Sequence, residues 1–434
     1  MAAPVSGPSR RTRFLILSDT HGATYLPETE GLHPIDVVIH CGDITAHSEL
    51  SEYKKAIHLL SQIDAPLKLV IAGNHDFTLD TPTYQRMVHR ARKHHDFPEL
   101  LRIHGQPGDA RRLFEQARLS QQQQQQRRQQ QRQGSKEEQG QCGRSDALTD
   151  NAHHNNHSSN KNNNNNNDDD SKATGIHYLD EGTYRFRLTN GAALTVYASP
   201  YTPAYGTPGF QYRVARPGRE DSGNNGDKRA GGHEFAVPDD VDVVITHGPP
   251  HSVLDRVWSG TVPSWIGAEK ATRHVGAPEL FHAVSRARPR MHCFGHIHES
   301  WGAEIVRWKG PSGPEKKKEG GGRDGPRGQG EEGSGPGLSS TVIADLGSIV
   351  LLKGDRSKVV TDKEHKQREF TTGKCIKTSH CAGDPLPVEK GESTLFVNAA
   401  LAGKPVRPAW VVDLELPVVG DGDVRSAIDG HNHD

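Results

Sequence analysis

The sequence predicts an α/β fold with its functional groups on loops beyond the carboxyl ends of strands. Three observations lead there. Five short apolar runs each end in a polar motif carrying His, Asp or Asn, helically spaced segments lie among them, and long polar tracts interrupt the pattern. Taken in order, Arg13 to Leu17 leads into Ser18-Asp19-Thr20-His21, and Asp36 to His40 leads into Cys41-Gly42-Asp43. Leu67 to Ala72 precedes Gly73-Asn74-His75-Asp76, Val241 to Thr246 precedes His247-Gly248-Pro249-Pro250, and Arg290 to Phe294 precedes Gly295-His296-Ile297-His298. Ser48 to Ile63 places Leu50, Tyr53, Ile57 and Leu60 at helical spacing, and Gly276 to Ala287 places Leu280 and Val284 on one helical face. Further strands are expected at Tyr184 to Leu188, Leu194 to Ala198, Thr341 to Leu346, Thr394 to Asn398 and Ala409 to Leu416.

Composition separates a core from solvated tracts. Only 32% of the 434 residues are hydrophobic and the mean hydropathy is −0.74, too polar for a chain packed throughout. Gln106 to Lys172 holds Gln121 to Gln126, a His/Asn cluster and Asn162 to Asn167, and it is read as a low-complexity insertion without secondary structure. Pro217 to Gly232 and Gly310 to Gly337 are read as disordered insertions on the same grounds, and Lys353 to Gly391 as a fourth. Without them roughly 240 residues remain, the size of one domain running from residue 13 to 417.

Fifty-three basic residues face 54 acidic ones, so no net charge recruits a polyanion, and nucleic acid is not an expected partner. No apolar run is long enough to cross a membrane, and the basic start lacks an apolar stretch behind it, so a cytoplasmic location is expected. Five scattered cysteines without a CxxC pair argue against a disulfide framework or a structural zinc site.

Singly, each polar motif reads as an ordinary turn. Together they deliver Asp19, His21, Asp43, Asn74, His247, His296 and His298, all oxygen or imidazole donors. Two carboxylates, one amide and four imidazoles exceed the four ligands of a tetrahedral zinc and suit two divalent ions sharing a carboxylate. Such a pair, spaced roughly 3.5–4 Å, clamps the attacking and leaving oxygens of a displacement at phosphorus, with a bridging hydroxide as nucleophile. Mixed imidazole and carboxylate ligands do not choose among Mn²⁺, Fe, Ni²⁺ and Zn²⁺.

The ordered series Asp-x-His, Gly-Asp, Gly-Asn-His-Asp, His-Gly and Gly-His-x-His resembles the calcineurin-like metallophosphoesterase superfamily. Ser199-Pro200-Tyr201-Thr202-Pro203, Thr246-His247-Gly248-Pro249-Pro250 and His296-Ile297-His298-Glu299 are similar to its metallophosphoesterase-domain-containing branch, whose characterised members act as phosphodiesterases. The resemblance implies a four-layer α/β/β/α sandwich interrupted by the insertions. It implies that Asp19, His21 and His298 hold one ion, that Asn74, His247 and His296 hold the other, and that Asp43 bridges them. His75 is implied as the acid that protonates the leaving oxygen or stabilises the transition state, with Asp76 either orienting it or capping a turn. The expected substrate is a small phosphoester, with a cyclic nucleotide among the options.

Departures from related families refine that expectation. Phosphoprotein phosphatases follow Gly-Asp with a Val-Asp-Arg-Gly string that supplies a phosphate-binding arginine, whereas Gly42-Asp43 continues here as Ile44-Thr45-Ala46-His47. A phosphomonoesterase or protein phosphatase therefore stands as the alternative enzyme. A Gln/Asn-rich scaffold that self-associates through its tracts around a vestigial site is the alternative of another class. His40, His292, Cys41 and Cys293 are read as packing residues. Trp258, Trp265 and Trp301 are left open between pocket and core, and His153, His154, His157 and Lys316 to Lys318 are read as solvated polar sequence.

Overall fold

A computed structural model describes residues 7–24, 34–93, 97–123, 174–204, 209–213, 232–258, 272–308, 339–345, 375–403 and 406–418. Two large sheets carry the chain. The first orders its strands Ile376–Ser379, Trp410–Pro417, Ser9–Leu17, Val37–His40, Leu67–Val70 and Gly175–Tyr178. The second orders Ser339–Asp345, Gly302–Arg307, Ser393–Asn398, Met291–Phe294, Val243–Thr246, Ala193–Ser199 and Gly182–Arg187. Ser9–Leu17, Val37–His40 and Leu67–Val70 run parallel, as do Ala193–Ser199, Val243–Thr246 and Met291–Phe294, so within each group the ligand-bearing ends share one edge.

Alternation along each strand builds the layers. Phe14, Ile16, Val37, Ile39, Leu67 and Leu69 of the first sheet join Leu194, Val196, Val243, Ile245, Met291 and Val397 of the second in one inter-sheet core. The opposite residues of the first sheet, Leu15, Leu17, Val38 and Val70, pack with Tyr53, Ala56 and Leu60 of the helix Leu50–Gln62. On the far side, Val244, Phe294 and Phe396 pack with Leu280, Ala283 and Val284 of the helix Pro278–Ala287. Helix, sheet, sheet and helix form the expected four layers. Because both faces of the central strands are covered, they read in sequence as nearly continuous apolar runs, interrupted by Lys68, which donates to Ala65 O at 2.7 Å, and by His292, which pairs with Thr246.

The capping residue of the first helix also serves the site. Glu52 accepts the N–H of Glu49 at 3.1 Å and those of Ala46 and His47 at 3.0 Å each, tying the helix start to the loop after Asp43. The helices Thr81–Ala91 and Phe97–His104 went unread in the sequence, although Asp80 caps the former by accepting the Thr83 N–H at 3.1 Å, with Pro82 in its first turn.

Two insertion boundaries are corrected. Residues 109–123 form a helix, not structureless sequence: Ala110 and Phe114 are buried, and Phe114 meets Tyr53 edge-on at 6.1 Å and Tyr178 at 5.4 Å. Arg111 on the same helix holds Asp180 with two 2.7 Å hydrogen bonds. Its apolar face is short and runs straight into the Gln-rich tract, which hid it. Likewise 375–391 is structured, with Ile376–Ser379 pairing parallel to Trp410–Pro417 and Cys375 and Cys381 buried. The rest of the four tracts, 124–172, 217–231, 310–337 and 353–374, lies outside the described residues. Among the described residues no helix is long and apolar enough to cross a membrane, and Cys41, Cys293 and Cys381 are free thiols.

Candidate metal centre

Five loops converge where the two sheets present their carboxyl ends. Short backbone bonds lock them together: Asp19 N–H donates to Gly42 O at 2.9 Å, His21 N–H to Asp43 O at 3.0 Å, and Gly295 N–H to His247 O at 2.9 Å. Asp19, His21, Asp43 and His296 all adopt left-handed backbone conformations, with φ of 54°, 44°, 50° and 67°. Each such residue costs on the order of 1–3 kcal/mol, and this strain turns four candidate donors into a common space. Gly295 is required by close approach, since a Cβ there would collide with the Asp19 carboxylate and the Ser18 hydroxyl.

All seven predicted donors meet here. Asp19, His21 and His298 form one compact group; Asp43, His247 and His296 form another; and Asp43 also groups with His21 and His75. His298 Nε2 lies 3.1 Å from Asp19 Oδ1, and His21 Nε2 lies 3.9 Å from Asp19 Oδ1 and 3.8 Å from Asp43 Oδ2. His247 Nε2 lies 3.4 Å from Asp43 Oδ1 and 2.9 Å from Asn74 Oδ1. The His247 and His296 rings are 4.9 Å apart.

The electrostatics record a demand for positive charge. Burial alone would raise the carboxyls of Asp19 and Asp43, yet His298, His247 and His21 hold Asp19, and His247 and His21 hold Asp43, below the usual range. Burial would lower His247 as well, but Asp43 and Asp19 push it up to about 9. His247 Nδ1 donates to Cys41 O at 2.9 Å, which aims Nε2 at Asp43 and Asn74. Two buried carboxylates that recruit a proton onto a buried imidazole are well matched to cations, which would take that proton's place. Burial beside His247 holds His296 down at about 4, so it enters as a neutral imidazole.

Supporting residues hold this arrangement. The buried Asp76 carboxylate accepts N–H bonds from Ile44, Thr45 and Gly73 at 3.0, 2.9 and 2.9 Å and the Thr45 hydroxyl at 2.6 Å. It therefore fastens the Asp43 loop to the Asn74 loop. His75 takes its orientation elsewhere, with Nδ1 donating to Ala46 O at 2.8 Å. His40 is fully buried, accepts the Gly42 N–H at Nδ1 (3.3 Å) and donates from Nε2 to Thr20 Oγ1 at 3.0 Å, bracing the same turn. Trp301 is core, stacked on Trp410 at 5.0 Å, and His292 is a buried partner of Thr246. The Trp258 side chain and Trp265 lie outside the described residues.

Residues 12–196 match the family model of the calcineurin-like phosphoesterases. Metallophosphoesterase domain-containing protein 1 of human and of mouse are each 26% identical to this chain over 301 residues, or 68% of this chain and 63% of each relative. Through residues 12–196 the chain is thus similar to the calcineurin-like phosphoesterases. A segment making up 18% of a probable rhamnogalacturonate lyase C of Emericella nidulans is also 26% identical over 300 residues. The matched span of the phosphoesterase family contains Asp19, His21, Asp43, Asn74 and His75. His247, His296 and His298 lie beyond it and reach the same space through the second sheet.

Proposed function

We propose that this chain is a binuclear metal-dependent phosphoric ester hydrolase acting on a phosphodiester. The observation that carries this reading is the Asp43 carboxylate, shared between the His21 side of the cluster and the His247 and His296 side. In this reading Asp19, His21 and His298 hold one ion, Asn74, His247 and His296 hold the other, and Asp43 bridges the two. Divalent ions bound there supply Lewis-acid polarisation of phosphoryl oxygens and lower the pKa of water.

His75 is the acid in this scheme. Its Nδ1 is committed to Ala46 O, which leaves Nε2 as the ring nitrogen that would donate to a departing oxygen. The 4.7 Å edge contact between the His75 and His21 rings keeps it beside the cluster. The sequence Ile44-Thr45-Ala46-His47 after Gly42-Asp43 supports a small diester over a phosphoprotein, because the arginine of the protein phosphatases has no counterpart in that loop.

The test is metal-stripped protein reloaded with Mn²⁺, Fe²⁺, Ni²⁺ or Zn²⁺ singly and assayed on matched monoesters and diesters, cyclic nucleotides included. Metal-dependent turnover favouring diesters is expected. Turnover far higher on monoesters would replace the diester assignment, and absence of turnover with two equivalents of metal bound would overturn the enzyme reading.

A further inference from the structure

Beyond the strand Ser393–Asn398 the chain runs along the metal cluster. Ala400 bridges to Ser18, the neighbour of Asp19, and Leu401 N–H donates to Ser18 O at 2.9 Å. Arg407 N–H returns to Leu401 O at 2.9 Å, and Pro408 O is held by Trp301 Nε1 at 3.1 Å. Arg407 therefore sits at the closed neck of a loop anchored against the Asp19 turn. Its guanidinium lies on Gly403, where a Cβ would stand 2.5 Å from Nη1 and 2.7 Å from Cζ. Nη1 is buried and donates to no acceptor. The group is within electrostatic reach of Asp19, Glu299 and His298.

A buried guanidinium nitrogen without an acceptor is costly to maintain, and its position decides what can satisfy it. The neighbouring carboxylate Asp19 is already taken up by His298 and by the His296 N–H. Glu299, the stronger of the two carboxylate neighbours, attracts the group electrostatically but gives Nη1 no hydrogen bond, so an anion presented at the cluster is the complement we consider, and a planar guanidinium matches the oxygens of a phosphoryl group.

We infer that Arg407 is a substrate-binding residue, donating from its guanidinium to a non-bridging phosphoryl oxygen of the ester bound at the Asp19–Asp43 cluster. It takes the part of the arginine missing after Gly42-Asp43, from a loop outside residues 12–196. The inference rests on the phosphoesterase reading of the site.

The experiment is calorimetric binding of inorganic phosphate to the metal-loaded full chain, with metal content and Tm measured alongside. Arg407→Ala is expected to weaken phosphate binding about 10- to 100-fold, the loss of one charge-assisted hydrogen bond, with metal content unchanged. Arg407→Lys should recover part of it as a point charge without the fork. Gly403→Ala keeps the arginine but pushes its guanidinium aside, and it should weaken phosphate binding and raise KM more than it lowers kcat. Phosphate affinity equal to wild type in metal-loaded Arg407→Ala and Gly403→Ala would overturn the inference, whatever their Tm. Wild type that holds its metals yet neither binds phosphate nor turns over any ester would instead overturn the phosphoesterase reading itself.

Discussion

The backbone N–H of His75 donates to Asp43 Oδ1 at 2.8 Å. One peptide group thus references the proposed acid to the carboxylate shared by both halves of the cluster. Asp76, next in sequence, fixes the same two loops from behind through Ile44, Thr45 and Gly73. In the proposed scheme metal binding and proton transfer are positioned by one unit but carried by separate side chains, and substitutions should separate them.

Asp43→Asn removes the negative charge set between the two groups while nearly preserving shape. Two cations would then be less screened from each other. Metal content is expected to fall below two equivalents and turnover to collapse, with far-ultraviolet circular dichroism unchanged. Near-normal turnover with two metals retained would refute the bridging assignment.

His75→Ala should keep both ions, because His75 is assigned no metal. Turnover is expected to fall about 10²- to 10⁴-fold, the usual contribution of a general acid. The loss should be larger for an alkyl ester than for a nitrophenyl ester, whose leaving group needs little protonation. Equal losses would indicate charge stabilisation by the imidazole, and loss of a metal would contradict the division of roles.

The helix at 109–123 bears on where the chain can be shortened. Phe114→Ala empties a site between Tyr53 and Tyr178 and should cost about 3–5 kcal/mol in urea denaturation. Joining Gln123 to Thr174 by a short Gly/Ser linker should leave stability and metal-dependent hydrolysis largely intact. Starting the deletion at Gln106 should destabilise as Phe114→Ala does, and a stable, active protein from that longer deletion would refute the structural role of the helix.

Acid sensitivity should trace in part to Asp413, which Arg11 and Arg13 grip at 2.6 and 2.7 Å. Burial would raise its carboxyl, but the hydrogen bonds from Arg13 and Arg11 hold it below the usual range. A depressed folded pKa means that the unfolded chain binds more protons as pH falls. The contribution is therefore complete above the ordinary value of 3.8 and lost as pH falls through the folded one. Asp413→Asn should lower Tm at neutral pH, and the gap to wild type should close on acidification below that value. A gap independent of pH would show that the ion pairs contribute nothing through this carboxylate.

The sequence by itself determined the α/β class and the central strands, and it singled out the seven candidate donors. Strands buried on both faces must be written as continuous apolar runs, and groups able to bind cations come from a few residue types placed where those runs stop. Only the tertiary structure decided which donors meet, since His298 reaches Asp19 across 279 positions of sequence through the packing of two sheets. It also decided that Asp76 fastens loops and does not orient His75, because hydrogen-bond partners depend on how separate turns approach. The helix at 109–123 was hidden by glutamine-rich composition that says nothing of the few residues, Ala110 and Phe114, that find a surface to cover. Arg407 was invisible for a related reason. An arginine between Val406 and Pro408 has no local signature, and it acquires meaning only when the fold leaves its Nη1 buried without an acceptor and its charge within electrostatic reach of Glu299 and Asp19.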